Sequence, residues 1–360
     1  MPLTISVPDS LRMSVEAASG GKQTVLYTAL GQPTFMTVIP KFNGPDVDAG
    51  LPAGVHPMFV VNGVEKTELF IGTYQGIVKN GELLSLPGVD PTVSQNHDYF
   101  VTAARACGTG YHCISNVEFA GIALWCRANS FAPRGNTNYG KSSEAAWESA
   151  RRIDGGLPGV TSGTPRTLTG SGPVSWRHDN SAGGISDLCG NIWEWSPGMR
   201  INAGEIQIVA NNDAALNSTD FGVASAAWKA IDGATGALVA PGSANTVKYA
   251  ASGTANYTLV RASGSSFEGM TNPGATPVGA TALALLKAYG LYPTAALLGG
   301  TIAVPATSGD GFWLDATGER LPLRGGRWNN AAAGGVFALH LSNARSDVSD
   351  SLGSRPAFVL

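Results

Sequence analysis

"GGISDLCGNIWEW", Gly183–Trp195, is the densest structural signal in the chain. Read as a strand, its last four residues alternate. Ile192 and Glu194 point one way, Trp193 and Trp195 the other. Burying two indoles stabilises a fold by about 2–3 kcal/mol each, provided each ring N–H finds a partner. Glu194 then sits beside a core. A carboxylate there is either held by backbone donors or serves a calcium ion or a catalytic step.

Working outward, the next such frame lies near the C-terminus. "RGGRWNNAAAGGVFALHLSNARS", Arg324–Ser346, sets a Gly pair, a Trp and an apolar "GVFAL" block around residues that look interchangeable. "DVSDSLGSR", 347–355, follows as another short polar run. In "RGGRW" and "GSRPAF", glycine lets the backbone bend or approach closely. Arg324 and Arg355 are candidates for buried hubs, because a guanidinium offers five donors to loop carbonyls.

The intervening pattern is that of an α+β chain. Asn62-Gly63 and Asn80-Gly81 sit between apolar runs, the strongest short hairpin signal. "SNVEFAGIALWCRANSF" reads as an amphipathic helix: Ser115 and Glu118 form a capping box, and Phe119, Ile122, Ala123 and Cys126 recur at helical spacing. "SQNHDYFVTAARACG" is a weaker helix ending at Gly108. Residues 132–184 are loop-rich. Between 203 and 312 lies a Gly/Ala/Ser-rich segment with strand-like pieces and one helix, "GATALALLKAYGLY". Residues 1–40 read as a small leading β module, with "KQTVLYTAL" and "TFMTVIPKF" joined by "GQP".

Composition narrows the function. Of 360 residues, 14% are charged and the net charge is −3, so nothing suggests an electrostatic nucleic-acid binder, which needs a basic face. No apolar run is long enough to span a membrane. The N-terminus lacks the charged and apolar regions of a secretory signal, and the chain is expected to fold in a cytoplasm. Cys107, Cys113, Cys126 and Cys189 match no zinc spacing; free buried thiols are expected, with a Cys107–Cys113 bridge as the alternative. There is no nucleophile elbow, P-loop or H-E-x-x-H motif, and the five His are scattered.

"GGISDLCGNIWEW", "LPLRGGRW", "ARS" and "GSRPAF", with "GYHCISNVEFAGIALWC" as a second helix and its lead-in, together resemble the formylglycine-generating enzyme family and its C-type-lectin-like fold. Enzymes of that family carry paired cysteines between their R-G-G-x-W and G-F-R motifs. Here no Cys follows Cys189, and Ser, Asn and Ala cannot replace a thiolate. A calcium lectin is the other alternative. Trp328-Asn329-Asn330 resembles that branch's W-N-D, but no E-P-N or Q-P-D is present and Asn330 replaces the acid.

The C-terminal stretch resembles the variable proteins of diversity-generating retroelements, in which a lectin-fold scaffold displays a rewritten C-terminal region. There, changes to AAY codons never yield Lys, Glu, Gln, Met or Trp. No Lys, Glu, Gln or Met follows Arg320. The resemblance implies a displayed set: Arg327, Asn329, Asn330, Ala332, Ala333, His340, Ser342, Asn343, Asp347, Val348, Ser349, Asp350, Ser351 and Ser354. The scaffold would comprise Trp193, Glu194, Trp195, Arg324, Gly325, Gly326, Trp328, Arg345, Gly353 and Arg355.

The expectation is therefore an α+β, C-type-lectin-like domain over 41–360, with a long insert at 203–312 and a variable region at 324–356. The 1–40 module would attach it to an assembly or trimerise it. The function would be non-catalytic binding of a protein or glycan receptor on a bacterial surface. The display structure would be a phage or prophage tail assembled in the host cytoplasm, or alternatively a bacterial surface. No cofactor is implied, and any calcium would be structural.

Overall fold

The two Asn-Gly pairs are turns. Asn62 and Gly63 take φ of 51° and 70°, and Asn80 and Gly81 take 51° and 81°. Each closes a two-residue hairpin, Val61 opposite Val64 and Lys79 opposite Glu82, because both positions demand the left-handed backbone that Asn and Gly tolerate. The capping box also forms. Ser115 Oγ accepts from Glu118 N at 3.2 Å, and Ser115 N donates to the Glu118 carboxylate at 2.8 Å. The helix it starts runs Asn116–Ala128.

The computed structural model describes residues 9–261, 266–295 and 309–360. It is a mixed α+β architecture, mostly sheet with few helices. One five-stranded antiparallel sheet runs in the order Gln23–Tyr27, Pro33–Pro40, Glu68–Gly72, Pro356–Phe358, Tyr111–Cys113. The last strand of the chain is thus an inner strand. A larger sheet runs from Leu238–Val239 through Trp228–Ile231, Glu205–Val209, Met199–Asn202, Glu319–Gly325 and Gly335–Asn343 to Phe312–Leu314. Trp193–Trp195 pairs with Glu319–Gly325 on one side and with Leu352–Gly353 on the other.

Three expectations change. Residues 23–40 form no separate module: residues 36–40 of the second strand pair with Glu68–Gly72, Met36 opposite Gly72. Its backbone N–H and C=O groups on the side away from Gln23–Tyr27 would be left unpaired in a two-stranded module, and the Glu68–Gly72 strand satisfies them. Ahead of it stands a helix, Ser10–Ser19, that sequence reading missed. Asp9 caps its N-terminus at the Arg12 N–H, and Gly20, at φ 62°, ends it. The first eight residues lie outside the described set.

The 203–312 segment is likewise no appendage in its described part. Its start cuts the hairpin between Met199–Asn202 and Glu205–Val209. Ile206, Tyr249, Phe267 and Leu286 belong to the same core as Leu69, Ile122 and Leu341. Residues 262–265 and 296–308 of it lie outside the described set.

The helix Asn116–Ala128 is buried almost all round rather than on one stripe. It is packed between Gly335–Asn343 and the helix Ala280–Ala288, so even Asn116, Glu118 and Arg127 are inside. Two other expected helices are present at His97–Ala106 and Ala280–Ala288.

Candidate binding site

The frame of the site is the Glu319–Gly325 strand and the turn after it. Gly325 and Gly326 take φ of 89° and 94°, which β-carbon-bearing residues rarely adopt. A Cβ would lie 2.8 Å from the Leu188 carbonyl oxygen at Gly325 and 2.7 Å from Gly334 Cα at Gly326. The paired glycines therefore let this turn press against two neighbouring backbones. Trp328, nearly buried, is fixed through its backbone: its N–H donates to Asn191 O at 3.2 Å, and its carbonyl accepts from Tyr139 at 2.7 Å.

Two buried arginines tie the frame together. Arg324 donates to Asn116 Oδ1 at 2.7 and 3.0 Å and to the Gly290 carbonyl at 2.9 Å. Burial lowers its pKa to about 10. Arg355 donates to the Gly72 and Ser186 carbonyls, each at 2.9 Å, and pairs with Glu194. The Glu194 carboxylate is held by Arg355 and the Gln75 side chain, and among the described residues by no backbone donor. Arg345, on the rim, ties Glu319 at 3.0 Å to Asp98 at 2.8 Å. Gly353 lies in the short strand against Glu194. Trp195 is fully buried, and among the described residues its indole N–H has no partner, unlike the expectation for it.

Above this frame lies a pocket of about 400 Å³. Its floor is Trp193, Trp313, Leu323 and Leu352. Its walls are nine of the fourteen residues expected to be displayed: Arg327, Asn330, His340, Ser342, Asn343, Asp347, Val348, Ser349 and Ser351. They come from the turn after Gly326, the strand Gly335–Asn343 and the loop beyond it. His340 stacks on Trp313 at 5.2 Å, with Trp193 edge-on to both at 5.3 Å. Burial lowers the His340 pKa to about 4; the nearby Arg327 charge adds to this and Asp347 opposes it. The ring is neutral at pH 7.

Hydrogen bonds shape the walls. Arg327 Nη1 donates to Ser351 Oγ at 3.1 Å, and Ser349 and Ser351 hydroxyls meet at 3.1 Å. Asp347 accepts from Asn343 Nδ2 at 3.1 Å and from Ala344 N at 3.0 Å. Asn330 Oδ1 accepts from Arg327 N at 2.7 Å, so this wall residue also holds the turn.

Five expected residues do not line the pocket. Asn329 and Ala332 are exposed on the adjacent turn and Ala333 is half-buried there; Asp350 is exposed on the far loop. Ser354 is a correction. It is fully buried, its hydroxyl donates to the Trp195 carbonyl at 3.0 Å, and its own carbonyl accepts from Gly76 at 2.8 Å. It belongs to the scaffold, because its place beside the inner strand Pro356–Phe358 faces the core. Ser351 is also buried, yet it lines the pocket.

Sequence reasoning missed Trp313, Leu323 and Leu352. Trp313 stands opposite His340 through a parallel pairing, Phe312–Leu314 with Leu339–Leu341. The run "GFWL" signals a strand, but its partner is set by the fold.

Other chemistry is sparse. All four cysteines are free and buried, with no Cys107–Cys113 bridge. Burial pushes the Cys107 and Cys113 thiols up to about 12 and raises Cys126 and Cys189 as well, so thiolates are disfavoured. Among the described residues no three His, Cys, Asp or Glu cluster as metal ligands. None of the helices described is long and apolar enough to cross a membrane. A second cavity, about 430 Å³, opens between Pro33–Pro40 and Trp125, but none of the expected variable residues reaches it.

No protein-family model and no curated protein sequence matches the chain. Among the solved structures similar to it are the following three. PvdO from Pseudomonas aeruginosa is 15% identical, with 94% of this chain and 98% of that one covered and a TM-score of 0.37. A variable protein of Treponema denticola, variable protein 1, is 11% identical over 93% and 98%, with a TM-score of 0.33. The U1 variant of a major tropism determinant is 12% identical over 90% of this chain and 62% of that one, with a TM-score of 0.29. All three likenesses are distant, and the strand order and the pocket stand on this chain's own geometry.

Proposed function

We propose that the protein is a non-catalytic binding protein whose 324–356 segment presents a diversified recognition surface on a C-type-lectin-like scaffold. Its partner would be a receptor on a bacterial cell surface, and its place a phage or prophage tail. One observation carries this reading: nine residues expected to vary, scattered over 25 positions from Arg327 to Ser351, converge on a single pocket. The residues expected to be invariant, Arg324, Arg355, Glu194 and the glycine pair, lie beneath or beside it and make the buried bonds.

The division of labour is physically sensible. A surface that must accept many side chains needs a frame that none of them holds up. Here the frame bonds run through Asn116, Gln75 and backbone carbonyls, apart from the Asn330 turn bond. The pocket is small and polar, so one copy binds weakly, and several copies on one particle would compensate by raising effective concentration. The disfavoured thiolates speak against a cysteine-based oxidation at this site.

The test is binding of the labelled full chain to a panel of bacterial strains. Ser342→Tyr fills the pocket, while Lys41→Ala lies outside it. On any strain that binds, the first should weaken binding by about tenfold or more and the second should not, with thermal melts showing both folded. Equal binding by both variants would overturn the reading.

A further inference from the structure

We propose that the ligand of this pocket is an acidic saccharide, its carboxylate seated on Arg327 and its hydroxyls on the surrounding Ser and Asn side chains. The inference rests on reading the pocket as the binding surface. It starts from two orphaned polar atoms. Arg327 Nε and His340 Nδ1 are both buried, and among the described residues neither has a hydrogen-bond partner. Both side chains line the pocket. A buried donor left unmade is costly, so a ligand that supplies the partner gains more than an ordinary surface contact.

Arg327 differs from Arg345 and Arg355. Arg345 and Arg355 each rest on a carboxylate. Arg327 rests on a hydroxyl, Ser351 Oγ, and among the described residues no carboxylate lies within ion-pairing distance. A guanidinium edge matches a carboxylate in two parallel bonds. Nη1 is taken by Ser351; on the other edge Nε, though buried, has no partner, and Nη2 makes no hydrogen bond among the described residues.

Charge selects among anions. Asp347 lines the same pocket, and its charge and that of Arg327 act on His340 in opposite senses. One cation beside one resident anion leaves the pocket without net charge, so the cost of seating an anion rises with its charge and a singly charged guest is favoured over a doubly charged one. A phosphate carries close to two charges and would be repelled by Asp347.

The rest of the wall selects for hydroxyls. Ser342, Asn343 and Ser349 offer both donors and acceptors. His340, neutral at pH 7, lines the same wall, its buried Nδ1 without a partner among the described residues. Trp313 is only half-buried and lies on the floor, where the apolar face of a pyranose ring can rest. A peptide anchored by a large apolar side chain would instead need an apolar pocket, and this one is walled by polar groups.

The test is a glycan array carrying uronic- and sialic-acid glycans, each beside its methyl ester, probed with the full chain. Affinities are then measured by calorimetry, with inorganic phosphate as competitor. The proposal expects acid forms to bind about tenfold or more tighter than their esters, and Arg327→Gln to lose that preference while remaining folded. Phosphate should not compete. Equal binding of acid and ester, an unchanged preference in Arg327→Gln, or effective competition by phosphate overturns the acid assignment. So does an array without binding while Ser342→Tyr still abolishes cell attachment; the pocket reading then survives. If Ser342→Tyr leaves attachment intact, the pocket reading itself has failed.

Discussion

Arg355 and Glu194 form a buried two-pronged ion pair, Nε to Oε2 at 3.0 Å and Nη2 to Oε1 at 2.7 Å. It joins the end of the chain to the W-E-W strand 161 positions earlier. Both side chains are almost completely buried, at 0% and 1% exposure. Removing one partner leaves the other charge stranded, which costs about 3–5 kcal/mol. Glu194→Gln and Arg355→Met should each lower the melting temperature strongly. The double variant should be less destabilised than the two losses added. Simple additivity in that cycle would show the pair is not coupled.

A second buried pair sets a pH window. Burial opposes charge on His112, but the Glu118 carboxylate, 2.9 Å away, outweighs it and holds the His112 pKa above its ordinary value. Burial also opposes charge on Glu118, yet His112, the Ser115 N–H and Asn212 together hold its pKa below the ordinary range. The folded chain binds the His112 proton more tightly, so that contribution is complete below pH 6.5 and fades as pH rises through the raised value. The Glu118 contribution is complete above pH 4.5 and fades as pH falls through the lowered value. The melting-temperature gap between the native chain and His112→Gln should therefore be widest between pH 4.5 and 6.5. A gap that widens steadily toward alkaline pH would contradict this.

Residues of the C-terminal loop should divide by burial. Ser354 has no room around it, so Ser354→Tyr should destabilise by about 2 kcal/mol or more through overpacking. Val348 and Asp350 are exposed, and changes there should stay within about 0.5 kcal/mol. Denaturant midpoints of the three variants decide it. A benign Ser354→Tyr would place that residue back among the displayed ones.

What could be read in the sequence was local. The Asn-Gly hairpins and the Ser115–Glu118 box are set by a few adjacent residues, and the chain shows them without help from the fold. The grouping of Arg327, His340 and Asp347 was legible because rigid frame residues punctuate the segment. Long-range pairing was not. Nothing near Met36 announces Gly72 as its partner, and nothing in "GFWL" points to His340. Ser349 and Ser354 are the same residue type in one polar run. Only the approach to the inner strand Pro356–Phe358 makes the second a core residue.

The most direct measurement is on DNA, sequencing the few kilobases around the gene. The account predicts a near-copy of the codons for 324–356, differing almost only where the copy has adenine, beside a reverse-transcriptase gene. The differing codons should include those of Arg327, His340, Ser342 and Asp347, and spare those of Arg324, Gly325, Gly326 and Arg355. No such copy, or differences falling on the buried frame, would contradict the account.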